Sequence, residues 1–434
     1  MQNISIREKI ILVIITGLIL LSYVIGFTLS ENSAGGAIVD FEHTKRNISA
    51  FKNNSFFEAI KLTTTTNTEI YQSTRTPGFY IFNKYLNPFT DNVRLHQAYI
   101  TILSLLIPIL FFLNLKIKFK NTNLYFLIFI SSLILLSPYL RSSAFWGIEE
   151  NFGIIMVGFS ALFYQLYKES KSKKNEITYL VFLALFSSLC VYSDQKLIII
   201  PFLSLILVMT LNKNIYDKLF LVLLYVIFSI PFIYLIKLWG NITPTGDGSR
   251  RGIDILSLDL NYHYIGYSTS IIGFYLFPFF FSLNNKKNIL LNLLKNKVNY
   301  LLIVFFILYL IYYLFFYDLS GFFREGGGVF QKFSILLFDS HIIQKIILSL
   351  IFLSSWVLIL IFSDKDLINF LTLALFPFLS IFISPALFQE YFDPLIYFLI
   401  LIYLRKEFFF NLKHCIFIFS YFSLFLSIGI LYYN

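Results

Sequence analysis

Apolar runs of about twenty residues recur from one end of the chain to the other, divided by short polar connections. A run of that length crosses a hydrocarbon core of ~30 Å at ~1.5 Å per helical residue. The pattern predicts thirteen spans, over residues 10–30, 98–115, 123–140, 152–167, 177–193, 197–212, 219–238, 263–283, 298–317, 344–362, 367–384, 393–404 and 408–431. The last two are the weakest, because 393–404 is short and Lys413 and His414 interrupt the final run. The expected fold is an all-α polytopic membrane protein. The first run exceeds the roughly 7–15 apolar residues of a signal-peptide core, so it is read as a span.

The connections sort by side. With Arg7 and Lys9 on the cytosolic face, Lys116/Lys118/Lys120, Lys168/Lys171/Lys173/Lys174, Lys213/Lys218, Lys286/Lys287/Lys295/Lys297 and Arg405/Lys406 all fall on that face. That is the distribution the positive-inside rule requires. The opposite face receives 31–97, 141–151, the turn Asp194-Gln195-Lys196, 239–262, 318–343 and 385–392. The first of these loops, about 65 residues long, is too long for a bare connection. Its stretches "FFEAI" (56–60) and "GFYIFNKYL" (78–86) predict short helices at the membrane interface. The chain divides into a first module, 1–238, and a second, 239–434.

Composition narrows the classes. Charged residues make up 13% of the chain, against about 25% in soluble domains, and hydrophobic residues 57%, so a single soluble core is excluded. The net charge of +10 resides in short loops, where it orients the protein in the bilayer, and no nucleic-acid partner is expected. Cys190 and Cys415 lie inside apolar runs and supply neither a disulfide framework nor metal spacing. Sequons at Asn3, Asn47, Asn53 and Asn241 are chance in an Asn-rich chain. The Phe/Ile/Leu/Asn/Lys bias matches an AT-rich bacterial genome, which places the expected location in a bacterial plasma (inner) membrane.

Ionisable groups concentrate in the outer loops. "SAGGAIVDFEHTKRN" (33–47) sets Asp40, Glu42, His43, Lys45 and Arg46 just beyond the first span. A solvated loop with interface-anchoring charges accounts for that patch as well as a site does. "SPYLRSSAFWGIEENFG" (137–153) puts Arg141 and the double carboxylate Glu149-Glu150 at the mouth of a span. Adjacent carboxylates repel, which raises one pKa, although Glu at a helix N-terminus is also favoured by the dipole. In "YSDQK" (192–196), Asp194 and Lys196 form a tight turn: an internal pair, or a phosphate contact from Lys196. In "FFREGGGVFQKFS" (322–334), three glycines beside Arg324 and Lys332 suit an anion through exposed N–H groups. The same glycines also make an ordinary hinge. "STRTPGFYIFNKYL" (73–86) places Arg75 at headgroup level, where lipid phosphate is expected. "PTGDGSRRGID" (244–254) reads as an outer loop, and "LFQEYFDPLIYF" (387–398) brings Glu390 to the mouth of a late span.

On Asp40 in the large first outer loop, a carboxylate in the second (Glu149 or Glu150), and Arg75-Thr76-Pro77-Gly78-Phe79-Tyr80 before the second span, the chain resembles the GT-C superfamily of membrane glycosyltransferases. Members often read Lys-Pro-Pro-Leu-Phe-Tyr in that last element; here a threonine is inserted and glycine replaces the second proline. The resemblance covers roughly residues 1–200. It implies transfer of a sugar from a polyprenyl-phosphate donor to a hydroxyl on a glycan or glycolipid acceptor, with inversion. Asp40 would be general base, helped by His43, or would join Glu149 in placing a divalent cation (Mg or Mn). Arg75, Lys196, Arg324 and Lys332 would meet the donor phosphate. Arg141, Asp194, Tyr80, Trp146 and Glu390 would line the rest of the pocket. An O-antigen or capsule polymerase or ligase fits less well, since its large outer loop comes late. A transporter or flippase of lipid-linked sugars fits less well too, because the span interiors are nearly uncharged.

Overall fold

The structure is a computed structural model that describes residues 4–65, 75–240, 260–284, 295–319, 326–382 and 386–433. Those residues are nearly all helical and fall into two compact units, Met1–Leu256 with Asn411–Asn434, and Ser257–Phe410.

The first unit opens with α1 (Ile6–Thr28), started by a capping box in which Ser5 and Glu8 satisfy each other's backbone N–H. The long outer loop then folds into α2 (Ala37–Asn53), α3 (Phe56–Thr65) and α4 (Gly78–Leu86). Next come α5 (Val93–Ser104) and α6 (Leu106–Lys118), which together form one apolar rod of 26 residues. α7 (Leu124–Ser132) runs through a short 3-10 turn into α8 (Pro138–Trp146) with a bend of 67°. The bend has a local cause: Pro138 has no N–H to continue a ladder and starts a new helix, capped by Ser137 on the Leu140 N–H. α9 (Glu150–Glu169), α10 (Lys173–Ser193), α11 (Ile199–Met209) and α12 (Ile215–Trp239) follow.

The second unit contains α13 (Tyr264–Phe280), α14 (Lys297–Phe316), α15 (Gly328–Leu337), α16 (His341–Ser363) and α17 (Leu367–Leu379). The last helix, α18 (Leu412–Tyr433), groups with the first unit, whereas the division at 239 assigns it to the second module. It packs against α8 and the turn before it, and Gly429 lies against the Ser33 backbone, where a Cβ would clash.

Seven helices are long and apolar enough to cross a membrane, and the bent α7–α8 pair would make an eighth, among the described residues. The thirteen expected spans are therefore not confirmed. The run at 152–167 lies in α9, which carries Glu150, Asn151, Gln165, Lys168 and Glu169 among its apolar residues. The runs at 197–212, 263–283 and 367–384 form helices of 11, 17 and 13 residues, and 393–404 breaks into short pieces. Exposed Val13, Leu18, Leu21 and Val24 on α1 suit a hydrocarbon surround, since leaving each in water forgoes ~1.5–3 kcal/mol.

The two short helices expected in the first loop are present as α3 and α4. They have a core of their own: Ile48, Phe51, Ala59, Ile60, Phe79 and Tyr80 pack with Ile100, Leu235 and Trp239. That core makes α2–α4 a built layer rather than a set of strands of loop, and it holds α2 in place for the chemistry at its N-terminal half.

Candidate functional site

Two segments of the first unit bring charged groups around Arg75, and two more add hydroxyls to them. Its Nε lies 2.9 Å from Glu149 Oε1, one terminal nitrogen 2.5 Å from Glu150 Oε1, and the other 3.5 Å from Asp194 Oδ2. Lys196 Nζ reaches the same Asp194 oxygen at 3.0 Å. From α2, the Thr44 hydroxyl donates to Glu149 Oε2 at 2.8 Å, and from α8 the Ser143 hydroxyl donates to Glu150 Oε2 at 3.2 Å. Asp40, half-buried one helical turn before Thr44, lies close enough for its charge to act on Glu149.

Each segment is set by its own sequence. α8 ends at Gly147 in the left-handed conformation (φ 71°), which turns the chain and delivers Glu149 as the residue before α9. Arg75 is aimed by the turn that follows it. The Thr76 hydroxyl donates to the Val191 carbonyl at 3.0 Å, and Gly78 presses on the Tyr192 carbonyl with no room for a Cβ. This close approach is why glycine stands at 78. The turn is thereby fixed to the end of α10, whose next residues lead into Asp194 and Lys196.

Among the described residues, the ion pairs of the cluster set two cations, Arg75 and Lys196, against three carboxylates, Glu149, Glu150 and Asp194. A buried surplus of negative charge favours a bound proton. Burial pushes the Glu149 carboxyl up to about 7; Arg75 opposes this, while the charges of Glu150 and Asp40 add to it. Near neutral pH, Glu149 is therefore divided between its two forms.

Arg141 is elsewhere. It is fully buried and grips Glu31 with two parallel contacts, at 2.8 Å and 2.5 Å. Its remaining N–H groups go to the Ser22 carbonyl and hydroxyl on α1 and to the Leu135 carbonyl. The pair sits on the wall of a cleft of about 560 Å³ whose other lining is mostly apolar, from α1 and α18. Its placement corrects the expectation that Arg141 lines the carboxylate pocket. Tyr80 belongs to the loop core, takes a hydrogen bond from Asn47 and packs on Phe51. Trp146 is half-buried beside Phe41, with its indole N–H donated to the Glu31 carbonyl. His43 lies half-buried on α2, three residues beyond Asp40.

Lys332 and Glu390 belong to the second unit, and Arg324 and the stretch 244–254 lie outside the described residues. The glycines do adopt positive φ, at 106°, 72° and 79° for Gly326, Gly327 and Gly328. Their neighbourhood is internally satisfied, however: the Gly327 N–H donates to the Leu387 carbonyl and the Val329 N–H to Gln389. Those two donors are not directed at an anion.

The donor set does not fit a divalent cation. Among the described residues no group of three or more His, Cys, Asp or Glu side chains is placed to hold one, and the three carboxylates converge on a guanidinium instead. Sequence reasoning missed Glu31, Thr44 and Ser143; only Glu31 carried a signal, as a lone carboxylate directly after a span. Compared with models of known protein families, with curated proteins and with solved structures, the chain matches none.

Proposed function

We propose that this protein is an inverting membrane glycosyltransferase, taking a sugar from a polyprenyl-phosphate donor and passing it to a hydroxyl of a cell-envelope glycan or glycolipid. The supporting observation is the convergence of Arg75, Glu149, Glu150, Asp194 and Lys196 beside Asp40. Asp40 accepts the proton of the acceptor hydroxyl as its oxygen attacks the anomeric carbon. The bond from that carbon to the phosphate oxygen breaks, and polyprenyl phosphate leaves with the bonding pair. Arg75 and Lys196 meet the charge that develops on it. Arg75 begins surrounded by carboxylates, so an arriving phosphate has to replace one of them. Glu149, poised near 7, takes up a proton and releases its share of the guanidinium. The reaction belongs on the face opposite the lysine-rich loops.

The test is sugar transfer from a synthetic polyprenyl-phosphate sugar by the reconstituted chain and by Asp40→Asn. Loss of transfer with normal folding supports the reading; near-normal turnover removes it. A buried carboxylate titrating near 7 against an arginine also suits a proton-coupled carrier of lipid-linked sugars. Carriage without bond cleavage in the same vesicles would favour that reading.

A further inference from the structure

We infer that His96 is a positioning residue of the carboxylate cluster, fixing the Gly147–Glu149 turn against α2 and with it the contact between Glu149 and Arg75. His96 lies in the first turn of α5 and is 3% exposed. Its Nε2 is 3.0 Å from the Gly147 carbonyl. A carbonyl only accepts, so Nε2 carries the proton and donates it. Nδ1 is then a lone-pair acceptor, and the Asn87 amide N–H reaches it at 2.9 Å. The same amide nitrogen donates to Asn83 Oδ1 at 2.7 Å, while Asn87 Oδ1 takes the Phe89 N–H at 3.0 Å. That order of donors and acceptors fixes one tautomer of the ring.

Two further contacts tie the ring to the site. A Cβ on Gly147 would stand 2.8 Å from His96 Cδ2 and 2.9 Å from Nε2, so ring and glycine are fitted to each other. On its other side the ring stacks with Phe41, at 6.2 Å between centroids and 21° between planes. Phe41 follows Asp40 on α2, and Gly147 stands two residues before Glu149. One buried imidazole thus touches both segments that carry the candidate carboxylates. Thr44, on the same helix as Phe41, completes the link by donating to Glu149.

The inference rests on reading Glu149 as the carboxyl that takes up a proton, but its test needs no sugar transfer. The Glu149 carboxyl is titrated from about pH 5 to about 9 by infrared difference against Glu149→Gln, with the full chain in lipid nanodiscs. The charged groups facing it are Arg75, Glu150 and Asp40, with Asp194 and Lys196 next around the guanidinium. His96→Leu, which removes the donor, is expected to move the midpoint by at least ~0.5 pH unit, about a 3-fold change in proton affinity. His96→Gln, which keeps an N–H near Nε2, is expected to restore the wild-type midpoint. Asn87→Ala, which releases the tautomer, is expected to move it in the same direction as His96→Leu and by less. An unchanged midpoint in His96→Leu, or equal shifts in His96→Leu and His96→Gln, would overturn the inference. If His96→Leu does not fold, an unchanged midpoint in Asn87→Ala overturns it. A failed sugar-transfer assay with these shifts intact would remove the proposed activity and leave the positioning role standing.

Discussion

Two arginines of the first unit, Arg141 fully buried and Arg75 half-buried, have opposite surroundings. Arg141 faces one carboxylate, Glu31, and its five N–H groups are all taken up by Glu31, Ser22 and Leu135. Charge balances, and no donor is left for a ligand. Arg75 faces three carboxylates, with Lys196 sharing one of them and Asp40 adding to the negative potential. The first arrangement is closed: it joins α1 to α8 and leaves nothing to exchange. The second is over-supplied with negative charge, and an incoming anion or a proton changes it. Ion pairs to carboxylates are common to both, so they do not set the two apart. The balance of charge is what differs between them.

Substitutions at the two arginines and their partners separate the closed pair from the open cluster. The largest expected effect is at Asp40: Asp40→Asn lowers sugar transfer by about 100-fold or more, the scale of a lost general base, with thermal unfolding unchanged. Next is the closed pair. Arg141→Ala leaves Glu31 buried and unpaired and costs about 3–5 kcal/mol, read as a lower unfolding temperature in detergent. Gly26→Ala acts in the same direction, because a methyl there meets the Arg141 guanidinium, the Glu31 carboxylate and Phe145. If Arg141→Ala left stability intact but cut sugar transfer, the two arginines would have been assigned the wrong way round. A smaller effect belongs to Arg75→Ala, expected to raise the KM for the donor by about 10-fold, from loss of a charge-assisted contact, and that for the acceptor far less. Equal effects on both would remove the phosphate contact.

The smallest is a pH effect. The Glu149 carboxyl titrates higher in the fold, about 7, than the ordinary 4.5. A pKa raised by folding favours the protonated native state, so this stabilisation is full below about 4.5 and is lost as pH rises through about 7. The unfolding temperature of wild type, measured relative to Glu149→Gln, is expected to fall across that window. A flat difference would show that Glu149 is not held as described.

Much of this was legible in the sequence, for physical reasons. The longest and most apolar runs became seven long helices, because length and hydropathy decide them. The run at 123–140 and that of α9 misled, since hydropathy averages over the break at Pro138 and over Asn151 and Gln165, which helix packing buries. Arg75, Glu149, Glu150, Asp194 and Lys196 were visible as charges an apolar chain does not place idly. Their assembly was visible only in part. Which arginine goes to which carboxylate depends on contacts 110 residues apart in the case of Arg141 and Glu31, and no local pattern encodes those. His96 carried no signal at all, being one histidine near the start of an apolar run.

The proposed transfer requires the Arg75 cluster to receive the phosphate of a lipid-linked donor. The most direct measurement is binding of polyprenyl phosphate to wild type and to Arg75→Lys in nanodiscs, since lysine keeps the charge and loses the forked guanidinium geometry. Binding is expected to be about 10-fold weaker in Arg75→Lys. Equal affinity in the two proteins would contradict it.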